Sequence, residues 1–308
     1  MADPEALHRA EAILRRQAGD RVRTRFPIGP LTSFRLGGPA ALYLEAESQE
    51  DLDAAAAAVR QSGMPFLVIG KGSNMLVSDA GFPGLVLRLG RAFRWAARDG
   101  ESLSAGGAMP LPALAGVALS HGLAGLEFGV AIPASLGGSV RMNAGAHGHS
   151  LDEVIDTVEV FRIADGRLEV VAAPDAGFAY RSSELPEPAV IVGATLRLRS
   201  GDPDDIRHEM EQAREWRRAT QPLAEPNCGS VFKNPPGDHA ARLIESVGGK
   251  SFSVGAARVS EKHANFIVAG AGATAADVVR LIETLRDRVH ERHGVLLEPE
   301  VHVVGTGA

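Results

Sequence analysis

Three polar side chains stand where a chemical reason is wanted for them. Ser230 lies among small residues, two positions after Cys228, the single cysteine of the 308-residue chain. Ser230 and Lys233 form an S-x-x-K spacing, a pattern of serine acyl enzymes. Lys233, however, runs into Asn234-Pro235 rather than on into a helix, and no K-T-G or S-D-N partner is present. Acyl transfer is therefore a poor reading, and Cys228 reads as a small buried hydrophobe rather than a nucleophile. Arg181 follows Tyr180 in a stretch of serines and small residues, and a buried arginine requires a carboxylate or phosphate partner. Glu300 lies in an apolar strand, where glutamate is seldom fully buried unless paired. Taken singly, Arg181 and Glu300 read equally well as a core ion pair or an edge-strand charge. His147 and His149 have no third ligand at fitting spacing, so no metal site is expected.

Two glycine-rich segments carry a different signal. Gly70-Lys71-Gly72-Ser73-Asn74 follows one strand and precedes another, so it is neither a dinucleotide fingerprint nor a P-loop. Consecutive backbone N–H groups with glycines can still form an anion nest suited to a pyrophosphate, although the bare pattern also describes an ordinary tight turn. The run from Gly129 to Gly148 is dominated by small residues and has no period. Such a run admits close backbone contact with a flat, bulky cofactor, or simply packs tightly.

Composition narrows the class. With 32 basic and 38 acidic residues the net charge is −6, which gives no general attraction to a nucleic-acid backbone. The 45% hydrophobic and 23% charged content is that of a globular protein. No apolar stretch reaches the ~18 residues of a membrane span, and the N-terminus lacks a secretory pattern. A cytoplasmic protein of two or three domains is expected. Lysine occurs only at 71, 233, 250 and 262, leaving 32 − 4 = 28 arginines, and asparagine only at 74, 143, 227, 234 and 265. Seven of these nine residues fall in three short polar or Gly-rich segments, which marks those segments for function.

The elements that must position these residues follow from periodicity. Residues 1–18 read as a helix. Residues 41–45, a helix capped by Ser48 and stopped by Gly63, and residues 65–70 read as one βαβ unit. Strands follow at 75–77, 84–89, 94–98 and 102–105, then a helix at 111–121. Strands at 154–163, 167–172 and 189–199 come next. Gly201-Asp202-Pro203 reads as a boundary, followed by a helix to about 219. The remainder holds helices at 239–247 and 275–293, the latter capped by Thr274 and stopped by Gly294, and strands at 265–269 and 298–304.

Together the segments resemble the UDP-N-acetylenolpyruvoylglucosamine reductase family. The resemblance runs in order through residues 32–40, Gly70–Asn74, Ile132–Gly148, Tyr180–Ser183, Gln221-Pro222 with Cys228–Pro235, Ser260–Val268 and Leu297–Val301. It implies an α+β fold, with a two-subdomain FAD-binding fold of the vanillyl-alcohol-oxidase type in residues 1–90 and 91–201. A C-terminal α+β substrate-binding domain follows in residues 202–308. It implies non-covalent FAD, NADPH as electron donor and a UDP-sugar substrate reduced at its enolpyruvyl group for peptidoglycan synthesis. It also implies no nucleic-acid partner, no membrane insertion, and a monomer or weak dimer.

By the same resemblance, Ser230 is the proton donor, and Arg181 and Glu300 polarise the substrate carboxylate. The cofactor is held by Gly70, Lys71, Gly72, Ser73, Asn74, Met75, Ile132, Pro133, Ser135, Gly137, Gly138, Ser139, Asn143, Gly145 and Tyr180. The UDP-sugar is held by Lys233, Asn234, Lys250, Lys262 and His263. Two departures stand out. Ala134 replaces a glycine usual in the family, which would strain a turn at positive φ. The tyrosine-bearing loop of one family type is missing, since the chain has tyrosines only at 43 and 180. Another flavin oxidase or dehydrogenase, with flavin on His147 or His149, and a non-catalytic nucleotide-sugar binder are the alternatives.

Overall fold

The computed structural model describes residues 3–250 and 252–305. They form two compact units. The first takes Met1–Arg25, Ala41–Lys71 and Gly84–Arg217, and the second takes Phe26–Ala40, Gly72–Pro83 and Arg218–Ala308.

The first unit contains two sheets. Helix Pro4–Ala18 starts on Asp3, which accepts from the Glu5 N–H, and lays Ala10 and Leu14 into the core. Helix Gln49–Ser62 is capped by Ser48 and ends at Gly63, whose φ of +68° suits glycine. Its Asp51 carboxylate is buried and receives both Arg21 Nη atoms, at 2.6 and 2.7 Å, and the Glu47 N–H at 2.8 Å. Those bonds hold its pKa below the ordinary carboxylate value despite burial. The first sheet runs Arg23–Pro27, Pro39–Ala46, Phe82–Leu89, Phe66–Val68. The expected βαβ unit is thus opened. Strand Phe82–Leu89 lies between the two strands joined by the helix and pairs parallel with Phe66–Val68.

The second sheet is antiparallel, in the order Arg167–Ala172, Ile155–Arg162, Ala189–Arg197, Ser102–Gly106, Ala96–Asp99. Helices Leu111–Ser120 and Leu136–Arg141 contribute to its core. Helix Pro203–Thr220 sends Ile206, Met210 and Ala213 into the same core, and the short pair Arg199–Ser200 with Leu123–Ala124 ties its start down. Compact packing therefore runs past the turn at 201–203, because the apolar side of this helix finds its partners upstream.

In the second unit, an antiparallel sheet of Ser253–Val254, Ala257–Val259 and Ile267–Ala269 packs with helices Ala240–Ser246 and Ala275–His293. Thr274 and Asp277 form a capping box on the long helix, and Gly294 at φ +67° ends it. Asp79 also reaches this helix, accepting from the N–H groups of Ala275 and Ala276 at 2.9 and 3.0 Å. The strand expected over 298–304 is divided. His302–Val304 pairs parallel with Met75–Val77, while 298–300 runs antiparallel to 231–233 through Phe232 and Pro299. The strand expected over 265–269 begins only at Ile267. No helix among the described residues is long and apolar enough to cross a membrane.

Candidate functional site: a glycine-lined cavity and an anchored serine segment

In the first unit, strand Phe66–Val68 runs into Gly70 and Lys71 beside the start of helix Leu136–Arg141. A cavity of about 130 Å³ opens there, lined by Gly70, Gly107, Ser135, Gly137 and Gly138 together with Lys71, Arg88, Arg94 and Arg141. No carboxylate is among the lining residues. Neighbouring atoms crowd two of these glycines, one by a side chain and one by backbone. A Cβ on Gly70 would lie 2.3 Å from Ser135 Oγ, and one on Gly137 would lie 2.9 Å from the Ile191 carbonyl. Gly138 differs, since its Cβ would meet only Ser135 Oγ, at 3.4 Å, and would project into free space. Burial and the charges of Arg94 and Arg88 push the Lys71 pKa down. The buried Ser139 hydroxyl has no hydrogen-bond partner among the described residues. A glycine-lined cradle with cations around it and no carboxylate in its wall suits a phosphate-bearing cofactor such as FAD, although Arg141 also meets Glu187 at 3.7 Å.

Ile132 and Pro133 lead into this segment. Ala134 does not take positive φ, so the methyl in place of the family's glycine causes no backbone strain. Its carbonyl accepts from the Leu111 N–H at 2.9 Å. The Gly70–Asn74 loop passes from one unit to the other between Lys71 and Gly72. Gly72 has φ +59°, and a Cβ there would lie 2.6 Å from the Leu31 carbonyl oxygen and 2.7 Å from Thr32 Cα. Gly72 is therefore first a packing requirement of its own unit. Its carbonyl accepts from the Ser33 N–H. Ser73 is half-buried, Asn74 donates to the Glu300 carbonyl at 3.0 Å, and Met75 pairs in register with His302.

Downstream, Asn143 is 3% exposed at φ +39°. It donates to the Ala179 carbonyl and accepts from the Asp152 N–H. Arg181, at φ +58°, donates from Nη2 to the Gly145 carbonyl at 2.9 Å, and its guanidinium lies 5.4 Å from the Tyr180 ring centre. Asn143 and Arg181 thus fasten the small-residue run to the Tyr180–Ser183 turn. His147 makes an edge contact with Trp216 at 5.0 Å, and His149 Nδ1 lies 2.8 Å from Glu153 Oε2.

The second unit holds Ser230 and Glu300 on paired segments. Gly229 takes φ +83°, and its N–H donates to Asn227 Oδ1. Val231 donates to the Asn265 carbonyl at 2.9 Å. The Asn265 side chain then pairs with both backbone groups of Phe232, at 2.9 and 2.8 Å. Across from this segment the Glu300 N–H donates to the Val231 carbonyl at 2.7 Å. Cys228 is buried, and burial together with the Glu300 charge pushes its thiol pKa up, which favours the neutral thiol. The three expected catalytic residues are thus divided, with Arg181 in the first unit and Ser230 and Glu300 in the second.

Among the expected substrate residues, Lys233 Nζ pairs with Glu298 at 2.6 Å and Lys250 pairs with Glu245 at 3.0 Å. Asn234 accepts from the Ala240 N–H at 3.0 Å. His263 Nδ1 accepts from the Asn265 N–H at 3.2 Å, and burial pushes its pKa down. Lys262 donates to the Arg218 carbonyl. It lines a cavity of about 740 Å³ with Arg218, Gln221, Glu225, Arg258 and Ser260. Sequence reasoning missed Arg88, Arg94, Arg141, Arg218 and Arg258. Lysine stands out by scarcity here, whereas arginine is the chain's ordinary cation, and only the fold separates a lining arginine from a solvated one.

Residues 40–172 match the model of an FAD binding domain, and residues 221–304 match that of the UDP-N-acetylenolpyruvoylglucosamine reductase C-terminal domain. The enzyme of that name from Heliobacterium modesticaldum is 46% identical over 281 residues, covering 91% of this chain and 89% of the relative. One from Anaeromyxobacter sp. is 46% identical over 301 residues, covering 98% of this chain and 93% of the relative. The crystal structure of UDP-N-acetylenolpyruvylglucosamine reductase from Thermus caldophilus superposes with a TM-score of 0.80 at 36% identity, covering 92% of this chain and 99% of that one. With a glycine-lined, cationic cavity in the flavin-domain match and the Ser230 segment in the C-terminal match, the chain belongs to the UDP-N-acetylenolpyruvoylglucosamine reductase family.

Proposed function

We propose that the protein reduces UDP-N-acetylglucosamine enolpyruvate to UDP-N-acetylmuramate with NADPH and FAD, a step of peptidoglycan precursor synthesis. The observation that carries this reading is the acid-free cavity walled by Gly70, Gly137 and Gly138 with Lys71, Arg88 and Arg94 around it. Family membership supplies the substrate. Bound FAD supplies the chemistry that relays two electrons from NADPH to C3 of the enolpyruvyl group. The chain's own task is to place that group, stabilise the negative charge that develops on its carboxylate and C2, and deliver a proton to C2.

Ser230 is the proton donor. The Asn265 clamp on Phe232 supports this role, because a donor must keep its place while charge develops. Arg181 and Glu300 act on the carboxylate and the enol, each set by backbone bonds rather than by a side-chain partner alone. Lys233, Asn234, Lys250, Lys262 and His263 serve the UDP-sugar. Residues 1–90 and 91–201 serve the flavin and 202–308 the substrate. A reaction fed by NADPH and a nucleotide sugar belongs in the cytoplasm. The test is the purified protein's absorption spectrum and its NADPH consumption. Flavin that is released by acid, with NADPH oxidation that depends on UDP-N-acetylglucosamine enolpyruvate, is the expected result. Flavin retained in the acid pellet points to an oxidase with a covalent link, and absence of flavin refutes the reading.

A further inference from the structure

Arg181 sits at the tip of a tight turn. Ala179 and Ser182 exchange both backbone hydrogen bonds, each at 3.1 Å, so Tyr180 and Arg181 are the two residues between them. Arg181 takes φ +58°, a left-handed conformation that a long side chain keeps only where its surroundings hold it. The pair stands outside the strands of the unit, so no sheet ladder supplies that hold.

Much of it comes from three alternate residues at the end of helix Leu136–Arg141. The Arg141 carbonyl accepts from Ser183 Oγ at 2.9 Å. Asn143 Nδ2 donates to the Ala179 carbonyl at 3.1 Å. The Gly145 carbonyl accepts from Arg181 Nη2 at 2.9 Å. The segment that makes these ties is itself fixed. The Asn143 N–H donates to the Val140 carbonyl at 3.1 Å, the Ala144 N–H donates to the Ser139 carbonyl at 2.8 Å, and Gly145 pairs in register with Ser150.

Of the three, Asn143 acts through its side chain, and both ends of the amide are spent on backbone. Its Oδ1 accepts from the Asp152 N–H at 3.0 Å while Nδ2 holds Ala179. The side chain is buried and is not part of the wall of the glycine-lined cavity. Resting on the catalytic reading of Arg181 above, we infer that Asn143 is a positioning residue for Arg181 rather than a contact of the cofactor. Its amide ties the base of the turn to the fixed segment, and so sets where the guanidinium stands when charge develops on the substrate carboxylate. Asparagine suits the place twice over, because it tolerates the φ of +39° found there and pairs a donor with an acceptor.

The test is stopped-flow absorbance of the flavin in the holoenzyme. Asn143→Gly keeps the left-handed backbone and removes both side-chain bonds. Asn143→Asp, when ionised, keeps the acceptor for the Asp152 N–H and loses the donor to Ala179. Both variants should retain flavin and be reduced by NADPH at nearly the parent's rate. Both should slow reoxidation by saturating enolpyruvyl substrate roughly 10- to 100-fold, the scale of a misplaced catalytic group. Ser183→Ala cuts a neighbouring tie from a half-buried position and should show the same split to a smaller degree. In an Arg181→Ala background either change at Asn143 should slow reoxidation no further, because a residue that works through Arg181 then has nothing left to position. Loss of flavin, equal slowing of the two half-reactions, or effects that multiply in the double variant overturns the inference. An Arg181→Ala protein that reoxidises at the parent's rate instead overturns the catalytic reading of Arg181 itself.

Discussion

Replacing Asn265 with alanine should unfasten the segment that carries Ser230. Asn265 is 4% exposed and Phe232 1% exposed. The amide closes a two-bond clamp, accepting from the Phe232 N–H at 2.9 Å and donating to its carbonyl at 2.8 Å. Alanine leaves both backbone groups in a dry setting with no replacement partner. Each such group costs ~1–3 kcal/mol, so a loss of ~2–6 kcal/mol is expected, a large share of the ~5–15 kcal/mol typical of a folded protein. Asn265→Asp keeps the acceptor but turns an oxygen toward the Phe232 carbonyl, so it should not restore the clamp. Urea unfolding followed by circular dichroism measures the loss. Amide hydrogen exchange at Val231–Lys233 localises it, because those amides should exchange far faster while Ala96–Asp99 and Ser102–Gly106 keep their protection. An Asn265→Ala protein within ~0.5 kcal/mol of the parent, with unchanged exchange at Phe232, would refute the claim that this side chain anchors the segment.

Ser230→Ala should leave reduction of the flavin by NADPH nearly intact and slow reoxidation by the enolpyruvyl substrate ~10²–10⁴-fold, with Ser230→Cys retaining more activity. Stopped-flow absorbance separates the two steps, and equal slowing of both would make Ser230 structural. Gly138→Leu should fold with stability equal to or above the parent, because a helical glycine is lost where there is room, yet weaken FAD at least tenfold. Gly72→Ala should instead destabilise the protein, as a Cβ there meets backbone; thermal unfolding beside flavin titration distinguishes the two variants. His263 has a folded pKa below its unfolded value of ~6.5 because burial disfavours the charged form. The unfolded chain then binds more protons, so stability is fully present above that value and falls as pH drops below it. His263→Gln should flatten this slope in unfolding measured between pH 7 and 5, and an unchanged slope would assign it to other groups.

Local chemistry was legible in the sequence. Helix limits at Ser48, Gly63, Thr274 and Gly294 follow from single residues whose capping geometry needs no distant partner. The ordered motifs from Thr32 to Val301 carried the family, and the scarce asparagines stood out by count alone. What those asparagines do was decided by the tertiary structure. The side chains of Asn74, Asn143, Asn227, Asn234 and Asn265 all bind backbone, and most reach across the chain to do so. An amide's paired donor and acceptor suits fastening one backbone segment to another, and sequence cannot say which. Strand Phe82–Leu89 between its neighbours, and residues 26–40 and 72–83 in the C-terminal unit, likewise depend on pairings between distant residues. Arginine lining is the same kind of fact. Nothing local sets Arg88 and Arg94 apart from the other 26 arginines, and only the closing of the chain brings them beside Lys71 around one apolar slot.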